Sequence, residues 1–204
     1  MAKERIAIAD DRNSAVSRAA AVLLDSGIVV FPTETVYGIG VLATDAKALA
    51  RLRDVKQRPA PEPFQFLVAD LDAAKGLGAV FSSRAARLAR TFWPGPLTLV
   101  VPDGTNSGGT LGVRVPDSPF ALALCRRVGG ALISSSANPA GAPPPRDADA
   151  ADVFGDAVDL LIDGGPAEGV ASTVVKCVGD EFEILRSGGV GNGGIRAAWD
   201  GLLA

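Results

Sequence analysis

The chain has 204 residues, of which 48% are hydrophobic, and this is enough apolar material for one sizeable core. Its formal net charge of −3 and isoelectric point near 5.0 exclude a general polyanion binder, although a local basic site remains compatible with them. The sequence contains no histidine, which excludes a Ser-His-Asp triad and removes the commonest zinc ligand and general base.

Cysteine usage and hydropathy indicate the compartment. Cys125 and Cys177 lie in apolar stretches, and we interpret them as buried thiols of a reducing compartment. No apolar run approaches the ~20 residues that a transmembrane helix needs. The first residues carry mixed charge and lack the apolar centre of a signal peptide. We therefore expect a soluble cytoplasmic protein without membrane contacts.

The predicted elements alternate between helix and strand through most of the chain. Apolar periodicity and capping residues predict, in chain order, a helix over about 14–24, a strand over 28–31, a helix over 46–55, a strand over 64–69, a helix over 83–90, strands over 97–101 and 111–115, a helix over 119–128, and strands over 131–135 and 159–162. Strands over 174–178 and 182–185 flank Gly179-Asp180 as a hairpin, and a last helix spans about 195–203. This order predicts an α/β single domain with a twisted mixed parallel/antiparallel sheet and flanking helices.

Five polar stretches interrupt this pattern where strands or helices end. They are 32–38 (PTETVYG), 56–59 (KQRP), 113–116 (VRVP), 134–139 (SSSANP) and 171–173 (AST). Ligands of open α/β sheets gather at strand ends, and hydroxyl, Lys and Arg donors suit phosphate or carboxylate groups. Each stretch taken singly is also typical of an ordinary turn or a solvated helix end.

Taken together and in order, these stretches resemble the YrdC-like threonylcarbamoyl-AMP synthase family. Residues 32–40 (PTETVYGIG) differ from that family's P-T-E-T-V-Y-G-L-G only at Ile39, and 92–99 (FWPGPLTL) equal its F-W-P-G-P-L-T-L. Further matches, in family order, are 56–59, 114–116, 136–139, 163–166, 172–175 and 185–188. The resemblance covers about residues 15–190. It implies that residues 1–204 form a single YrdC-like domain around a wide concave cavity, without the additional C-terminal domain of longer members.

The resemblance also implies a reaction. L-threonine and bicarbonate form a carbamate whose oxygen attacks the α-phosphate of ATP, with Mg²⁺ accompanying the nucleotide. Threonylcarbamoyl-AMP and pyrophosphate leave, as expected of a nucleotidyltransferase. A tRNA threonylcarbamoyl transferase complex would then use the product for t6A modification of tRNA, and weak direct tRNA binding is a further implication.

The matching positions inherit expected roles from the family. The catalytic residues, which also contact ATP, would be Lys56, Arg58, Ser136 and Asn138. Threonine would be held by Thr35, Arg114, Ser134 and Ser172, with Arg114 pairing the carboxylate in a bidentate manner. The nucleotide would further contact Thr110, Pro144 and Arg186. The hydroxyls of Thr33 and Tyr37 are additional candidates, although a turn whose hydroxyls only satisfy backbone groups explains Thr33 equally well. No protein ligand for a metal is expected.

Glu62 and Leu67 are the last two candidates, because they mark departures from the family. Longer members carry N-P-L-I-V-H-V where this chain has 62–68 (EPFQFLV), so Leu67 replaces a histidine near threonine and Glu62 an asparagine near ATP. A carboxylate there would repel phosphates unless it bound metal or turned outward. These departures keep open a diverged YrdC-like paralogue with another carbamoyl or nucleotide substrate. The other alternative is a non-catalytic RNA-binding module that uses the same basic cavity, against which the low aromatic content weighs.

Overall fold

A computed structural model of the chain describes residues 1–9, 11–57, 64–105 and 108–202. Two predicted site residues, Arg58 and Glu62, lie outside the described residues. The strands are β1 Arg5–Ala7, β2 Val29–Phe31, β3 Gly38–Leu42, β4 Gln65–Leu67, β5 Leu97–Pro102, β6 Thr110–Arg114, β7 Leu132–Ser136, β8 Leu160–Asp163, β9 Thr173–Val178 and β10 Glu181–Arg186. The helices are α1 Arg12–Leu24, α2 Ala46–Lys56, α3 Leu71–Gly76, α4 Ser83–Phe92, α5 Pro119–Val128, α6 Ala148–Ala151 and α7 Asn192–Trp199.

The strands form one mixed sheet in the order β1-β8-β2-β3-β7-β4-β6-β5-β9-β10. The pairs β1/β8, β8/β2, β4/β6 and β5/β9 are parallel, and the other neighbouring pairs are antiparallel. The predicted mixed sheet with flanking helices is thereby confirmed.

Capping residues fix where most helices begin. The side chains of Asp45, Ser82 and Ser118 each accept a hydrogen bond from a backbone N–H in the first turn of α2, α4 and α5. Helix α1 differs from its prediction, because its N-cap is Asp11, which lies ahead of the predicted range. The Asp11 carboxylate accepts from the N–H of Asn13, so the helix begins at Arg12, two residues before the expected start.

Side chains alternate between the two faces of each strand, and one face of this sheet is largely apolar along its central strands. In its β5, β6 and β9 region, residues such as Leu99, Val113 and Val175 pack against α3, α4 and α7. In its β3 and β7 region, residues such as Ile39 and Ile133 pack against α2. This face therefore supplies most of the hydrophobic core.

The opposite face of the sheet is divided into two halves. Over β2, β7 and β8, helices α1 and α5 cover apolar residues that include Phe31, Leu132 and Leu160. On β4, β5 and β6, the alternating positions become polar, as Gln65, Thr98 and others show. The polar half of this face is where a ligand can reach the sheet.

The described residues contain no helix that is both long and apolar enough to cross a membrane. Cys125 and Cys177 are buried and unpaired. Burial raises the pKa of both thiols to about 12, which keeps them protonated and unreactive at neutral pH. The prediction of two buried thiols is confirmed.

Candidate functional site

A cavity of about 310 Å³ opens on the polar half of the sheet face. Its volume falls at the small end of the range typical of ligand sites. Among the described residues that line it, two carry guanidinium groups, Arg114 and Arg186, and none carries a carboxylate. Hydroxyls from Thr35, Thr98, Ser134 and other residues complete a lining that favours an anionic ligand.

The cavity brings together most of the predicted site residues from distant parts of the chain. All four residues expected to bind threonine line it: Thr35, Arg114, Ser134 and Ser172. So do four of those expected to contact ATP: Thr110, Ser136, Pro144 and Arg186. The other described candidates, Lys56, Asn138, Thr33, Tyr37 and Leu67, lie outside this lining.

Arg114 is a buried cation whose donors are already partly engaged. Its side chain is only 3% exposed, and its Nε donates to the carbonyl of Gly95 at 3.1 Å. Its Nη2 donates to Glu34 Oε1 at 2.5 Å and to Thr35 Oγ1 at 3.1 Å. Only Nη1 has no partner within the described ranges, so a substrate carboxylate can bind Nη1 directly. The predicted bidentate pairing additionally requires Glu34 to release Nη2.

Arg186 places a second cation on the same cavity wall. Its Nε and Nη2 donate to the carbonyl of Ser172 at 3.1 and 2.8 Å, and Nη2 also donates to Ser172 Oγ at 3.0 Å. Partial burial, followed by the charge of Arg114, lowers the pKa of the Arg186 guanidinium. An anion bound between the two groups would offset this effect on Arg186.

Lys56 is buried, although it is the last residue of α2. The residue is 3% exposed, and its Nζ donates to the carbonyl of Ser136 at 2.7 Å and to the carbonyl of Asn138. It also lies 5.5 Å from the ring centroid of Phe154. Helix α2 ends at Gln57 in the left-handed conformation, and the last helical side chain reaches beneath the loop after β7. In this structure Lys56 holds the backbone of the Ser136–Asn138 segment.

Asn138 faces a second cavity of about 440 Å³, which adjoins the first because Pro144 lines both. Its Nδ2 donates to the carbonyls of Ala142 and Pro139, at 2.6 and 3.0 Å. Its Oδ1 is buried and has no hydrogen-bond partner in the described part of the chain. The predicted pair Ser136 and Asn138 is therefore split between two adjacent cavities.

Thr33 shapes the turn between β2 and β3. Its Oγ1 accepts from the N–H groups of Thr35 and Val36, at 3.2 and 3.3 Å, and donates to the carbonyl of Val36 at 2.7 Å. Because that proton is committed, the 2.8 Å contact between the two threonine hydroxyls has Thr35 as its donor. These contacts agree with the interpretation of Thr33 as a turn residue, whereas Thr35 lines the cavity.

Tyr37 is fully buried and does not line the cavity, because its hydroxyl binds the backbone of the loop after β8. The hydroxyl donates to the carbonyl of Gly165 at 2.7 Å and accepts from the N–H of Gly164 at 3.0 Å. Burial raises the pKa of this phenol. The side chain therefore ties the loop after β8 to β3.

Replacing Tyr37 with phenylalanine is expected to lower the free energy of unfolding by about 1 kcal/mol, the net value of an intramolecular hydrogen bond. The ring would keep its packing and the hydroxyl does not line the cavity, so pyrophosphate release should change less than about threefold. Urea denaturation and a pyrophosphate assay would measure the two quantities. A large rise in the KM for threonine or ATP at unchanged stability would contradict this placement and indicate that the hydroxyl contacts a substrate.

Leu67 lies in the apolar cluster beneath α1 and α5, where it is 1% exposed and packs with residues such as Phe120 and Leu132. Helix α5 covers the sheet face at this end of β4, so Leu67 does not line the cavity. The candidate role of Leu67 beside threonine is not supported by this placement.

Gln65 and Thr98 are among the cavity residues that the sequence motifs did not indicate. The signal that could have found them is the alternation of β4 and β5, which places them on the same face as Arg114 and Ser134. Thr98 Oγ1 donates to Gln65 Oε1 at 2.9 Å.

Comparisons with known proteins show which family this chain belongs to. The chain matches the Sua5/YciO/YrdC family, described as "Telomere recombination", over residues 21–188. It is 38% identical over 186 residues to a threonylcarbamoyl-AMP synthase of Bacillus subtilis, covering 86% of this chain and 54% of that protein. A threonylcarbamoyl-AMP synthase of Halorhodospira halophila is 40% identical over 157 residues, or 73% of this chain and 82% of the relative.

Solved structures are similar over the same region. Sua5 of P. abyssi complexed with L-threonine superimposes with a TM-score of 0.87 at 32% identity, covering 97% of this chain and 60% of that one. YciO of E. coli gives a TM-score of 0.78 at 26% identity, covering 86% and 89%. The chain thus spans little more than half the length of the B. subtilis and P. abyssi relatives. The sequence match and the shared architecture together show that the chain belongs to the Sua5/YciO/YrdC family.

Proposed function

We propose that the protein is an L-threonylcarbamoyladenylate synthase, which makes threonylcarbamoyl-AMP and pyrophosphate from L-threonine, bicarbonate and ATP. The observation that carries the proposal is a cavity lined by two guanidinium groups and several hydroxyls, without a carboxylate among its described lining residues. The names of the relatives and the threonine complex of P. abyssi Sua5 support the same substrates.

In this reaction the carbamate is the nucleophile, so the protein has to position the reactants rather than supply a nucleophile of its own. A carbamate oxygen of N-carboxythreonine forms a bond to the α-phosphorus of ATP, and the bond from that phosphorus to pyrophosphate breaks. Arg114 would orient the threonine carboxylate, beside the hydroxyls of Thr35 and Ser134. Arg186 would stabilise negative charge on the nucleotide. None of these steps requires histidine, in keeping with the composition.

Lys56 would act through the backbone it holds. By fixing the carbonyls of Ser136 and Asn138, it sets the position of the Ser136 side chain at the cavity wall. Arg58, which lies outside the described residues, keeps its proposed role at the triphosphate.

Mg²⁺ is proposed to enter with ATP. Among the described residues there is no group of three or more His, Cys, Asp or Glu side chains that could hold a metal. Mg²⁺ is commonly bound by substrate phosphates and water with few protein ligands, which fits this lining. When bound there it would supply neutralisation of charge on the phosphates.

The product would pass to a tRNA threonylcarbamoyl transferase complex for t6A modification, and weak direct tRNA binding is part of the same proposal. Since both ATP and tRNA are cytoplasmic, we place the reaction in the cytoplasm.

The test is pyrophosphate release by the purified protein with ATP and Mg²⁺, omitting threonine and bicarbonate in turn. Release that requires both substrates is expected, and serine in place of threonine should support it less well, because the lost methyl group is worth about 1 kcal/mol. Release that needs neither, or ATP binding without release, would instead favour the diverged paralogue. RNA binding without ATP binding would favour the non-catalytic module.

A further inference from the structure

A chain of hydrogen bonds crosses the floor of the first cavity from Arg186 to Gln65. Arg186 Nη2 donates to Ser172 Oγ at 3.0 Å, and Ser172 Oγ lies 2.9 Å from Thr98 Oγ1. Thr98 Oγ1 donates to Gln65 Oε1 at 2.9 Å. These four side chains come from β4, β5, β10 and the loop before β9.

With the Gln65 amide oriented as it is in the structure, donor chemistry sets the direction of every bond in this chain. A guanidinium can only donate, so Ser172 Oγ accepts from Arg186. Thr98 has one hydroxyl proton and gives it to Gln65, so Ser172 must be the donor to Thr98. Gln65 Oε1 is therefore held by Thr98, and the amide nitrogen is left as the terminal donor of the chain.

The terminal amide borders the open part of the cavity. Gln65 lies opposite Gly112 of β6 and Ser134 of β7 in the sheet register. Gly112 has no side chain to cover it, and Thr110 and Arg114 are two residues to either side of Gly112 on the same face. Within the described residues, Gln65 Nε2 has no acceptor. It therefore lies between the residues proposed for threonine and those proposed for the nucleotide.

We propose that Gln65 is a catalytic residue whose Nε2 donates a hydrogen bond to the oxygens of the reacting carbamate and α-phosphate. The proposal rests on the synthase activity proposed above. As the carbamate oxygen bonds to phosphorus and pyrophosphate leaves, negative charge increases on these oxygens, and a donor fixed in advance stabilises it. Gln65 transfers no proton. The longer family members have isoleucine at this position of their N-P-L-I-V-H-V segment, so the role is specific to chains with a hydrogen-bonding residue here.

Three proteins test this role: the wild type, Gln65→Met and Gln65→Glu. Methionine keeps the length of the side chain without the donor, and we expect kcat for pyrophosphate release to fall about 100-fold, as when one oxyanion donor is removed. The KM values for ATP and threonine should change less than about threefold, because the interaction is strongest in the transition state.

The glutamate variant adds a readout that a purely structural role would not change. An ionised carboxylate cannot donate, whereas a protonated one can. The activity of Gln65→Glu relative to wild type is therefore expected to rise as the pH falls from 8 towards about 5.5, approaching the range where a glutamate titrates. The deficit of Gln65→Met should be independent of pH.

Thr98 provides a second test that leaves the amide in place. Thr98→Val releases Gln65 Oε1 and is expected to lower kcat about tenfold, the scale of one neutral hydrogen bond. Thr98→Ser retains the hydroxyl and should recover most of that loss. Thermal unfolding of each variant would normalise the rates to folded protein.

Full kcat in Gln65→Met at normal folding would overturn the role of Gln65 while leaving the proposed function standing. Equal, pH-independent losses in Gln65→Met and Gln65→Glu would also overturn it, because they would indicate a packing role. A wild type that releases no pyrophosphate with all substrates present would overturn the proposed function itself, and the reaction assigned to Gln65 with it.

Discussion

Arg114→Met is expected to abolish most threonine-dependent activity and to destabilise the fold. The variant removes the cation proposed to bind the threonine carboxylate, so the KM for threonine should rise ~100-fold or more, since losing a buried charged partner costs about 2–5 kcal/mol. It also leaves the Glu34 carboxylate, which is 15% exposed, without its cation. An uncompensated buried charge typically lowers the free energy of unfolding by about 3–5 kcal/mol.

The double variant Arg114→Met/Glu34→Gln separates the two effects. Removing the second charge should restore much of the lost stability, measured by urea denaturation, because no unpaired carboxylate remains. Threonine-dependent pyrophosphate release should stay low. Recovery of activity together with stability would contradict a direct role of Arg114 in binding threonine, and would assign it to the fold alone.

Lys56→Met is expected to reduce pyrophosphate release about 100-fold, because Ser136 would no longer be held in place at the cavity wall and a displacement of about 1 Å can cost that much in rate. The variant should not fold as well as wild type, because Nζ holds the carbonyls of Ser136 and Asn138. Leaving such acceptors without partners costs about 1–3 kcal/mol each where they are buried. Denaturation and rate measurements would be made on the same preparations.

Lys47→Met is the matched control, since Lys47 lies on the same helix and is exposed. Its effect on stability should stay within about 0.5 kcal/mol, as for most surface substitutions. A Lys56→Met protein that is as stable and as active as the control would contradict both the burial argument and the assigned role.

The parts of the fold that were predictable from sequence depend on local chemistry. Helices α2, α4 and α5 begin at the capping residues that the sequence indicates, and the 174–178 and 182–185 segments pair as the predicted hairpin. Strand β3 was missed because its glycines give it low intrinsic strand propensity. Gly40 is nevertheless required, since a Cβ there would lie 2.8 Å from the carbonyl of Ile133 on β7.

The site was predictable where the order of motifs specifies it, and not where long-range packing decides. The threonine-binding candidates all line one cavity. The contacts of Lys56 with Asn138 and of Tyr37 with Gly165 join residues 82 and 128 positions apart, so no local pattern could reveal that both side chains are buried. Gln65 was missed for a related reason, because alternation along β4 has meaning only once the uncovered face of the sheet is known.

One face of the central strands lines the cavity and the other packs in the core, so the ligand specificity of this fold can change while the core stays intact. Along β5 and β6, Thr98, Thr110 and Arg114 face the cavity, while Leu99 and Val113 alternate with them in the core. A cavity residue can therefore be exchanged without removing a methyl group from the packed interior. Selection or laboratory evolution can search uncharged cavity-facing positions such as Thr98 and Thr110 at little cost to core packing, whereas exchanging Arg114 also leaves Glu34 without its cation.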